Sequence, residues 1–126
     1  MRILVAEDSP VNQKVLVRML ERVGYAPVVV ADGRAAVGPL RREAFDLVLM
    51  DVEMPEMDGP TATRAIRSEL SAARQPVVVA LTAHALAGNR EHFLAAGMDA
   101  YLAKPIRVPE PLAILTQLPE LRRRAS

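Results

Sequence analysis

Apolar and polar positions alternate along the chain in one recurring order: an apolar run, a turn, and then a stretch with helical spacing. The apolar runs cover residues 2–6, 26–31, 46–50, 76–81 and 99–103. Short runs that are apolar throughout, and that turn residues bound, are typical of strands buried on both faces of a parallel sheet. The pattern therefore predicts five buried strands.

Apolar residues in the intervening stretches recur every three or four positions, which is the helical period. The predicted helices cover residues 11–23, 34–44, 59–70, 84–95 and 108–118. Ser9 and Pro10 are typical of a helix start, and Gly24 and Gly97 of helix ends. Strands that alternate with helices through short loops predict an α/β fold, with a five-stranded parallel sheet and five helices on its two faces.

Prolines make three of these elements less regular. Gly38 and Pro39 lie in the middle of the second helix, where proline removes a hydrogen bond and clashes with the preceding turn. We expect a kink, a late start or a short helix there. Pro27, near the start of the second strand, favours an exposed end or a sheet edge. Pro109 and Pro111 leave the start of the last helix open.

Length and composition limit the class of protein. The chain has 126 residues, of which 51% are hydrophobic, so it forms one domain with a core of its own. It contains no cysteine, which excludes disulfides and thiolate metal sites. No apolar run reaches the 18 or so residues of a membrane span, and no signal peptide is evident. These observations predict a cytoplasmic domain that makes no membrane contact.

Charge and aromatic content disfavour direct binding of nucleic acid. The net charge is +1, and the chain has two Phe, two Tyr and no Trp. It therefore has neither a broad basic surface nor a base-stacking platform. The basic cluster at residues 122–124 is interpreted as a solvated terminus. We accordingly divide the chain into a domain at 1–120 and a basic tail or linker stub at 121–126.

Functional side chains follow four of the five predicted strands: Glu7 and Asp8, Asp51, Thr82, and Lys104. In a parallel sheet with right-handed crossovers, the carboxyl ends of the strands meet at one edge, where ligands bind. We therefore expect these side chains to converge on one cleft. Asp32, which follows the second strand, is interpreted as a helix cap.

The chemistry of this set suits phosphoryl transfer. Three carboxylates in one cleft repel each other unless a cation is bound. Oxygen ligands without His or Cys point to a hard ion, Mg²⁺ or in its place Mn²⁺. Asp51 would be the nucleophile and carry an acyl phosphate, while Lys104 and the Thr82 hydroxyl would bind the phosphoryl oxygens. A cation-binding edge without chemistry is the simpler alternative.

Four segments resemble response-regulator receiver domains, over essentially the whole chain. They are VAEDSPVNQKV at 5–15, DLVLMDVEMPEMDG at 46–59, ALTAHAL at 80–86 and GMDAYLAKPI at 97–106. The resemblance implies a flavodoxin-like, doubly wound sheet with strand order 2-1-3-4-5. It also implies that Asp51 is the phosphoacceptor, and that Glu7, Asp8, Asp51 and the backbone carbonyl of Glu53 surround Mg²⁺.

The same resemblance implies how the domain signals. Thr82 would be the switch hydroxyl, Lys104 would pair with the phosphate, and Tyr101 would be the aromatic that moves inward on phosphorylation. The switched face would comprise the fourth helix, fifth strand and fifth helix. The side chain of Glu53, and His84 near the cleft mouth, are candidates for tuning the lifetime of the phosphate.

Three shorter stretches, VNQKV, TAHAL and GMDAYLAKP, resemble the receivers attached to hybrid sensor histidine kinases. This resemblance implies a histidine kinase, a His-containing phosphotransfer domain, or both, as partners. The chain would be a stand-alone receiver or a domain excised from such a kinase. As a receiver it would catalyse only its own phosphorylation and dephosphorylation, as a monomer or weak dimer.

Three other functions are weighed against a receiver. A degenerate receiver that only binds proteins would lack an essential group, yet Asp51, Thr82 and Lys104 are all present. A phosphatase of the haloacid dehalogenase type would need a second Asp two residues after the nucleophile, where this chain has Glu53. A flavin-binding module would need a phosphate-cradling loop after the first strand, where Glu7 would repel a phosphate.

Overall fold

The structure is a computed structural model that describes residues 2–54, 57–71, 74–83, 87–104, 113–115 and 117–119. In these ranges five strands and four long helices alternate: β1 Ile3–Ala6, α1 Pro10–Arg22, β2 Val28–Val30, α2 Gly33–Arg42, β3 Leu47–Asp51, α3 Gly59–Glu69, β4 Val77–Thr82, α4 Ala87–Ala95 and β5 Ala100–Ala103. Residues 113–115 and 117–119 are also helical and fall in the last predicted helix. No helix among the described residues is long and apolar enough to cross a membrane.

The five strands form one parallel sheet in the order β2-β1-β3-β4-β5, as predicted. Three-residue β2 lies at the edge of the sheet, one of the two positions that Pro27 predicted. The register pairs Ala6 with Met50, and Thr82 with Ala103, so the strands end nearly level. The ends of β1, β3, β4 and β5 therefore form one line, which we call the carboxyl edge.

Two buried clusters cover the two faces of the sheet. Alternate strand side chains on one face pack against Leu16, Leu20, Ile114 and Leu118. The intervening strand side chains pack on the other face against α2, α3 and α4, through Ala36, Leu40, Ala62, Ile66 and Phe93. Burying one such large aliphatic side chain contributes roughly 1.5–3 kcal/mol. Helices therefore cover both faces of the sheet. Since neither face is open to solvent, the strands are apolar on both sides.

The helix ends follow the sequence signals closely. Ser9, Asp32 and Asp58 cap α1, α2 and α3, each accepting a hydrogen bond from the backbone N–H three residues later, at 3.4, 2.7 and 2.9 Å. These bonds confirm the predicted caps at Ser9 and Asp32. Gly24 and Gly97 have φ of 93° and 100° just beyond α1 and α4. Both predicted helix ends are therefore confirmed, since this left-handed conformation favours glycine.

The second helix contains Pro39 and is shorter at its end than predicted. It begins at Gly33, continues through Pro39 and ends at Arg42, two residues before the predicted end. The expected late start is wrong, because the Asp32 cap starts the helix upstream of the proline. The Leu40 side chain is fully buried against the sheet and holds the last turn. The predicted segments at 84–86, 105–112 and 121–126 lie outside the described residues.

Candidate functional site

The carboxyl edge brings the predicted functional groups together. Glu7 follows β1, Asp51 ends β3, Thr82 ends β4 and Lys104 follows β5. Glu7, Asp51 and Thr82 are 0%, 2% and 3% exposed. Side chains of this kind are rarely buried unless they are paired. Polar side chains are therefore buried at the end of the sheet where apolar ones could pack, which indicates a functional site.

Lys104 forms ion pairs with two of the carboxylates. Its Nζ lies 2.9 Å from Asp51 Oδ1 and 3.4 Å from Glu7 Oε2. The Lys104 backbone N–H donates to the Thr82 carbonyl at 2.7 Å, which extends the pairing of β4 and β5 by one residue. Lys104 therefore reaches Asp51 across the end of β4, and Glu7 across the ends of β4 and β3.

Glu7, Asp8 and Asp51 form what we call the acid cluster. One carboxylate oxygen from each lies within 4.8 Å of the others. Asp8 is exposed, whereas Glu7 and Asp51 are buried. Glu7 Oε2 and Asp51 Oδ2 are buried and accept no hydrogen bond from any described residue.

These two oxygens make the site a good fit for a divalent cation. A buried acceptor without a hydrogen bond costs roughly 1–3 kcal/mol, and more when it is charged. Hard cations such as Mg²⁺ bind carboxylate oxygens, usually one or two of them together with water. The acid cluster, open to solvent at Asp8, offers this donor set.

The site perturbs the ionisation of its own groups. Burial raises the pKa of Asp51 to about 7; the Lys104 hydrogen bond opposes this shift, and the Glu7 charge adds to it. Burial lowers the pKa of Lys104, but its hydrogen bond and charge interaction with Asp51, together with the charge of Glu7, raise the pKa above the ordinary value overall. Asp51 is therefore a carboxylate whose charged form needs a further positive charge near it.

The loop after β3 folds tightly over the Asp51 backbone. Val52 N–H donates to the Leu81 carbonyl at 3.0 Å, and Gly59 N–H donates to the Val52 carbonyl at 3.0 Å. A Cβ on Gly59 would lie 2.4 Å from the Asp51 carbonyl oxygen, so only glycine fits. Glu53 N–H donates to Asp51 Oδ1 at 3.3 Å, and the Glu53 side chain is exposed. The role of the Glu53 carbonyl as a metal ligand stays a prediction.

The two predicted switch residues lie on neighbouring strands. Thr82 is buried at the end of β4. Tyr101 is half-buried in β5 and packs against the cluster that α2, α3 and α4 cover. Their switching roles stay predictions, as does the tuning role of His84, which lies outside the described residues.

The sequence interpretation did not assign three groups that hold Glu7. Ser9 N–H and Asn12 Nδ2 donate to Glu7 Oε1 at 3.2 and 3.3 Å. Gln13 Nε2 donates to the Glu7 backbone carbonyl at 2.6 Å. Asn12 and Gln13 lie in the VNQKV stretch that carried the resemblance, but nothing in their spacing indicated these contacts.

The fold and site define a class: a parallel α/β domain with buried acids, a hydroxyl and a lysine along one edge of the sheet. The family model of the response regulator receiver domain matches residues 3–116. The chain belongs to this family, a domain of two-component signal transduction.

Curated relatives contain a similar domain as a small part of a larger protein. The chain is 49% identical over 108 residues to Sensor protein GacS of Pseudomonas syringae pv. syringae, a match that covers 83% of the chain and 12% of GacS. It is 42% identical over 106 residues to Signal transduction histidine-protein kinase BarA of Escherichia coli K12, covering 84% and 11%. The chain therefore spans only about an eighth of these relatives, and is similar to one segment of each.

A solved structure resembles the whole domain. It is the receiver domain of sensor histidine kinase PA1611 from Pseudomonas aeruginosa PAO1, with 46% sequence identity and a TM-score of 0.83. The match covers 93% of this chain and 95% of that one. That domain has a magnesium ion coordinated in its active site cleft.

Proposed function

We propose that this domain accepts a phosphoryl group from a phosphohistidine onto Asp51, in a reaction that needs Mg²⁺. A bond forms between an Asp51 carboxylate oxygen and phosphorus, and the phosphorus–nitrogen bond to the histidine breaks. The electron pair stays on the imidazole nitrogen, which can then take up a proton. The observation that carries the proposal is the Asp51 carboxylate itself, 2% exposed, 2.9 Å from Lys104, with Oδ2 accepting no hydrogen bond from described residues.

The surrounding residues have separate tasks in this proposal. Glu7, Asp8 and Asp51 would hold Mg²⁺, with the Glu53 carbonyl as a further ligand by analogy with the family. The cation, when bound, supplies positive charge to the transferring phosphoryl oxygens. Lys104 keeps Asp51 oriented before transfer. The magnesium ion in the cleft of the PA1611 receiver supports this choice of metal, and we propose Mn²⁺ as a substitute.

We further propose that phosphorylation acts on the face formed by α4, β5 and the last helix. Thr82 and Tyr101 connect the carboxyl edge to this face, because they lie on β4 and β5. Lys104 would change partners when Asp51 carries the phosphate. Glu53 lies two residues after Asp51, in the loop that follows β3, and is exposed. We propose that it influences attack by water and hence the phosphate lifetime.

The partners proposed for the domain are a histidine kinase and a His-containing phosphotransfer domain. Support comes from the matches to segments of GacS and BarA, whose names describe a sensor protein and a histidine-protein kinase. We propose that the domain works within or beside such a kinase. It would catalyse only its own phosphorylation and dephosphorylation, as a monomer or weak dimer.

The test is the intact mass of the protein after incubation with acetyl phosphate and Mg²⁺. Wild type should gain the mass of one phosphoryl group, and both EDTA and Asp51→Asn should prevent the gain. An adduct that survives Asp51→Asn would show that another residue is the nucleophile. A folded wild type that gains no mass would favour a protein-binding scaffold that is not phosphorylated.

A further inference from the structure

The Glu7 carboxylate has hydrogen-bond and ion-pair partners that fix its orientation. Its side chain is fully buried, and its two carboxylate oxygens have different partners. Oε1 accepts hydrogen bonds from Ser9 N–H at 3.2 Å and from Asn12 Nδ2 at 3.3 Å. Oε2 lies 3.4 Å from Lys104 Nζ, which also pairs with Asp51 Oδ1 at 2.9 Å. One oxygen therefore faces α1, and the other faces the cleft.

This division depends on the first turn of α1. A glutamate carboxylate rotates easily about its last torsion, which has broad, roughly two-fold minima. Two donors on the same oxygen remove that freedom. One is the Ser9 backbone, which every residue except proline would supply, so Asn12 is the side chain that makes the arrangement specific.

Asn12 is also uncharged, which suits a residue that holds a carboxylate beside a cation site. A lysine or arginine at this position would donate to Glu7 equally well, but its positive charge would compete with a cation in the cleft. The asparagine amide donates a hydrogen bond and leaves the negative charge of Glu7 in place. Gln13, the next residue of α1, donates to the Glu7 backbone carbonyl at 2.6 Å and so holds the backbone of the same residue.

We propose that Asn12 is a positioning residue for the cation site: it fixes Oε1 of Glu7 so that Oε2 is presented to the cation. The inference rests on the proposed function, in which the acid cluster binds Mg²⁺. Partners that orient metal ligands typically change metal affinity 10- to 100-fold when they are removed. Since Ser9 N–H remains in place, we expect the lower end of that range.

The experiment measures the Mg²⁺ affinity of the unphosphorylated protein. Melting temperature, followed by circular dichroism, is titrated against Mg²⁺ at constant ionic strength. Fitting its rise to the logarithmic dependence of stability on ligand concentration gives an apparent Kd. Asn12→Ala and Asn12→Leu should each raise the Kd about tenfold. Leucine keeps the size of the side chain without the donor. Lys14→Ala, on an exposed position of the same helix, is the matched control and should leave the Kd unchanged.

A double-mutant cycle separates positioning from a general structural role. In a Glu7→Gln background the charge that Asn12 orients is absent, so Asn12→Ala should add little further loss of Mg²⁺ affinity. A similar loss in both backgrounds would overturn the inference. It would also be overturned if Asn12→Ala lowered the metal-free melting temperature without changing the Kd, since Asn12 would then be only a structural residue.

Acetyl phosphate labelling of wild type is run in parallel. If wild type neither binds Mg²⁺ nor gains a phosphoryl group, the proposed function fails and the inference fails with it. If wild type does both, and the two Asn12 variants bind Mg²⁺ like wild type, the inference alone fails.

Discussion

At the scale of single residues, Asp51 combines a buried position with a proposed role, phosphoacceptor, that requires a charged carboxylate. Its neighbours divide into groups that favour the carboxylate, chiefly Lys104, and groups that oppose it, chiefly Glu7. Burial prevails, and the pKa rises to about 7. Between about pH 4 and 7, the native protein without metal therefore keeps a proton on Asp51 that the unfolded chain, with an ordinary pKa of 3.8, has released.

This difference predicts a dependence of stability on pH. Because the folded-state pKa is raised, the free energy of unfolding should fall as pH rises from about 4 through 7. Between pH 5.5 and 8 the contribution of Asp51 should fall by about 2 kcal/mol, at roughly 1.4 kcal/mol per pKa unit. Urea unfolding of wild type and of Asp51→Asn, in EDTA and at several pH values, measures this contribution. The variant should gain stability relative to wild type at pH 8; a constant difference across this range would contradict the prediction.

Gly59 gives a second prediction at this scale. Gly59→Ala would place a Cβ 2.4 Å from the Asp51 carbonyl oxygen, so the loop or β3 must shift. We expect a loss of about 2 kcal/mol or more in unfolding free energy, as for overpacked sites, together with slower labelling by acetyl phosphate. Gly38→Ala is the control, since its nearest contact would be Arg42 at 3.8 Å. At position 38 the higher helix propensity of alanine favours α2, whereas the proline that follows disfavours helical backbone at a residue with a Cβ. The net change in unfolding free energy should therefore stay within about 1 kcal/mol. Equal effects of the two substitutions would refute the steric argument.

The residues of the site differ in how far the sequence could predict them. Asp51, Thr82 and Lys104 follow apolar runs directly, so strand-end logic places them at one edge. Asn12 contacts Glu7 from a helix, and its partner is set by how α1 leaves the sheet. Such a contact is determined by tertiary geometry, which leaves no periodic signal in the sequence.

At the scale of elements, Arg67 joins parts of the chain that are distant in sequence. From α3 it donates to the Gly97 carbonyl, Gln75 Oε1, the Pro76 carbonyl and Asp99 Oδ2, all at 2.8–2.9 Å. Asp99 Oδ2 also accepts from Val78 N–H at 2.8 Å. The end of α4 and the starts of β4 and β5 are thus fixed to α3.

Arg67→Met should therefore destabilise the domain by about 3 kcal/mol, since it leaves the partly buried Asp99 carboxylate without its cation. The matched control is Arg41→Met, which breaks the exposed pair between Arg41 and Glu69 on α2 and α3. Exposed pairs contribute little, so this control should unfold like wild type. Urea unfolding of both variants tests the difference, and comparable losses would mean that burial does not set the strength of these pairs.

The elements also show where sequence patterns mislead. Gly38 and Pro39 predicted a kink, a late start or a short helix; the late start is wrong because the Asp32 cap starts α2 at Gly33, and the helix ends two residues before its predicted end. The helical period correctly placed α1, yet Val11 at its start is 70% exposed. Periodicity predicts which face of a helix is apolar. It does not indicate how far along the helix the sheet extends to cover that face.

At the scale of the whole molecule, the carboxyl edge connects the site to both faces of the sheet. Asp51 lies on the central strand β3, Thr82 on its neighbour β4, and Tyr101 on β5 beyond it. We therefore expect a change at Asp51 to reach β4 and β5 through adjacent strands. Strands β1 and β2 lie on the opposite side of β3, and α1 fixes Glu7 there.

This asymmetry predicts where phosphorylation alters hydrogen exchange. Peptides that cover β4, α4 and β5, residues 77–103, should change their exchange rates after acetyl phosphate and Mg²⁺ are added. Peptides that cover β2 and α2, residues 28–42, should change much less, because neither predicted switch residue lies on that side. Asp51→Asn with the same additions controls for Mg²⁺ and acetyl phosphate themselves. A change spread evenly over both halves of the sheet would mean that phosphorylation tightens the whole domain, and that Thr82 and Tyr101 do not direct the signal to one face.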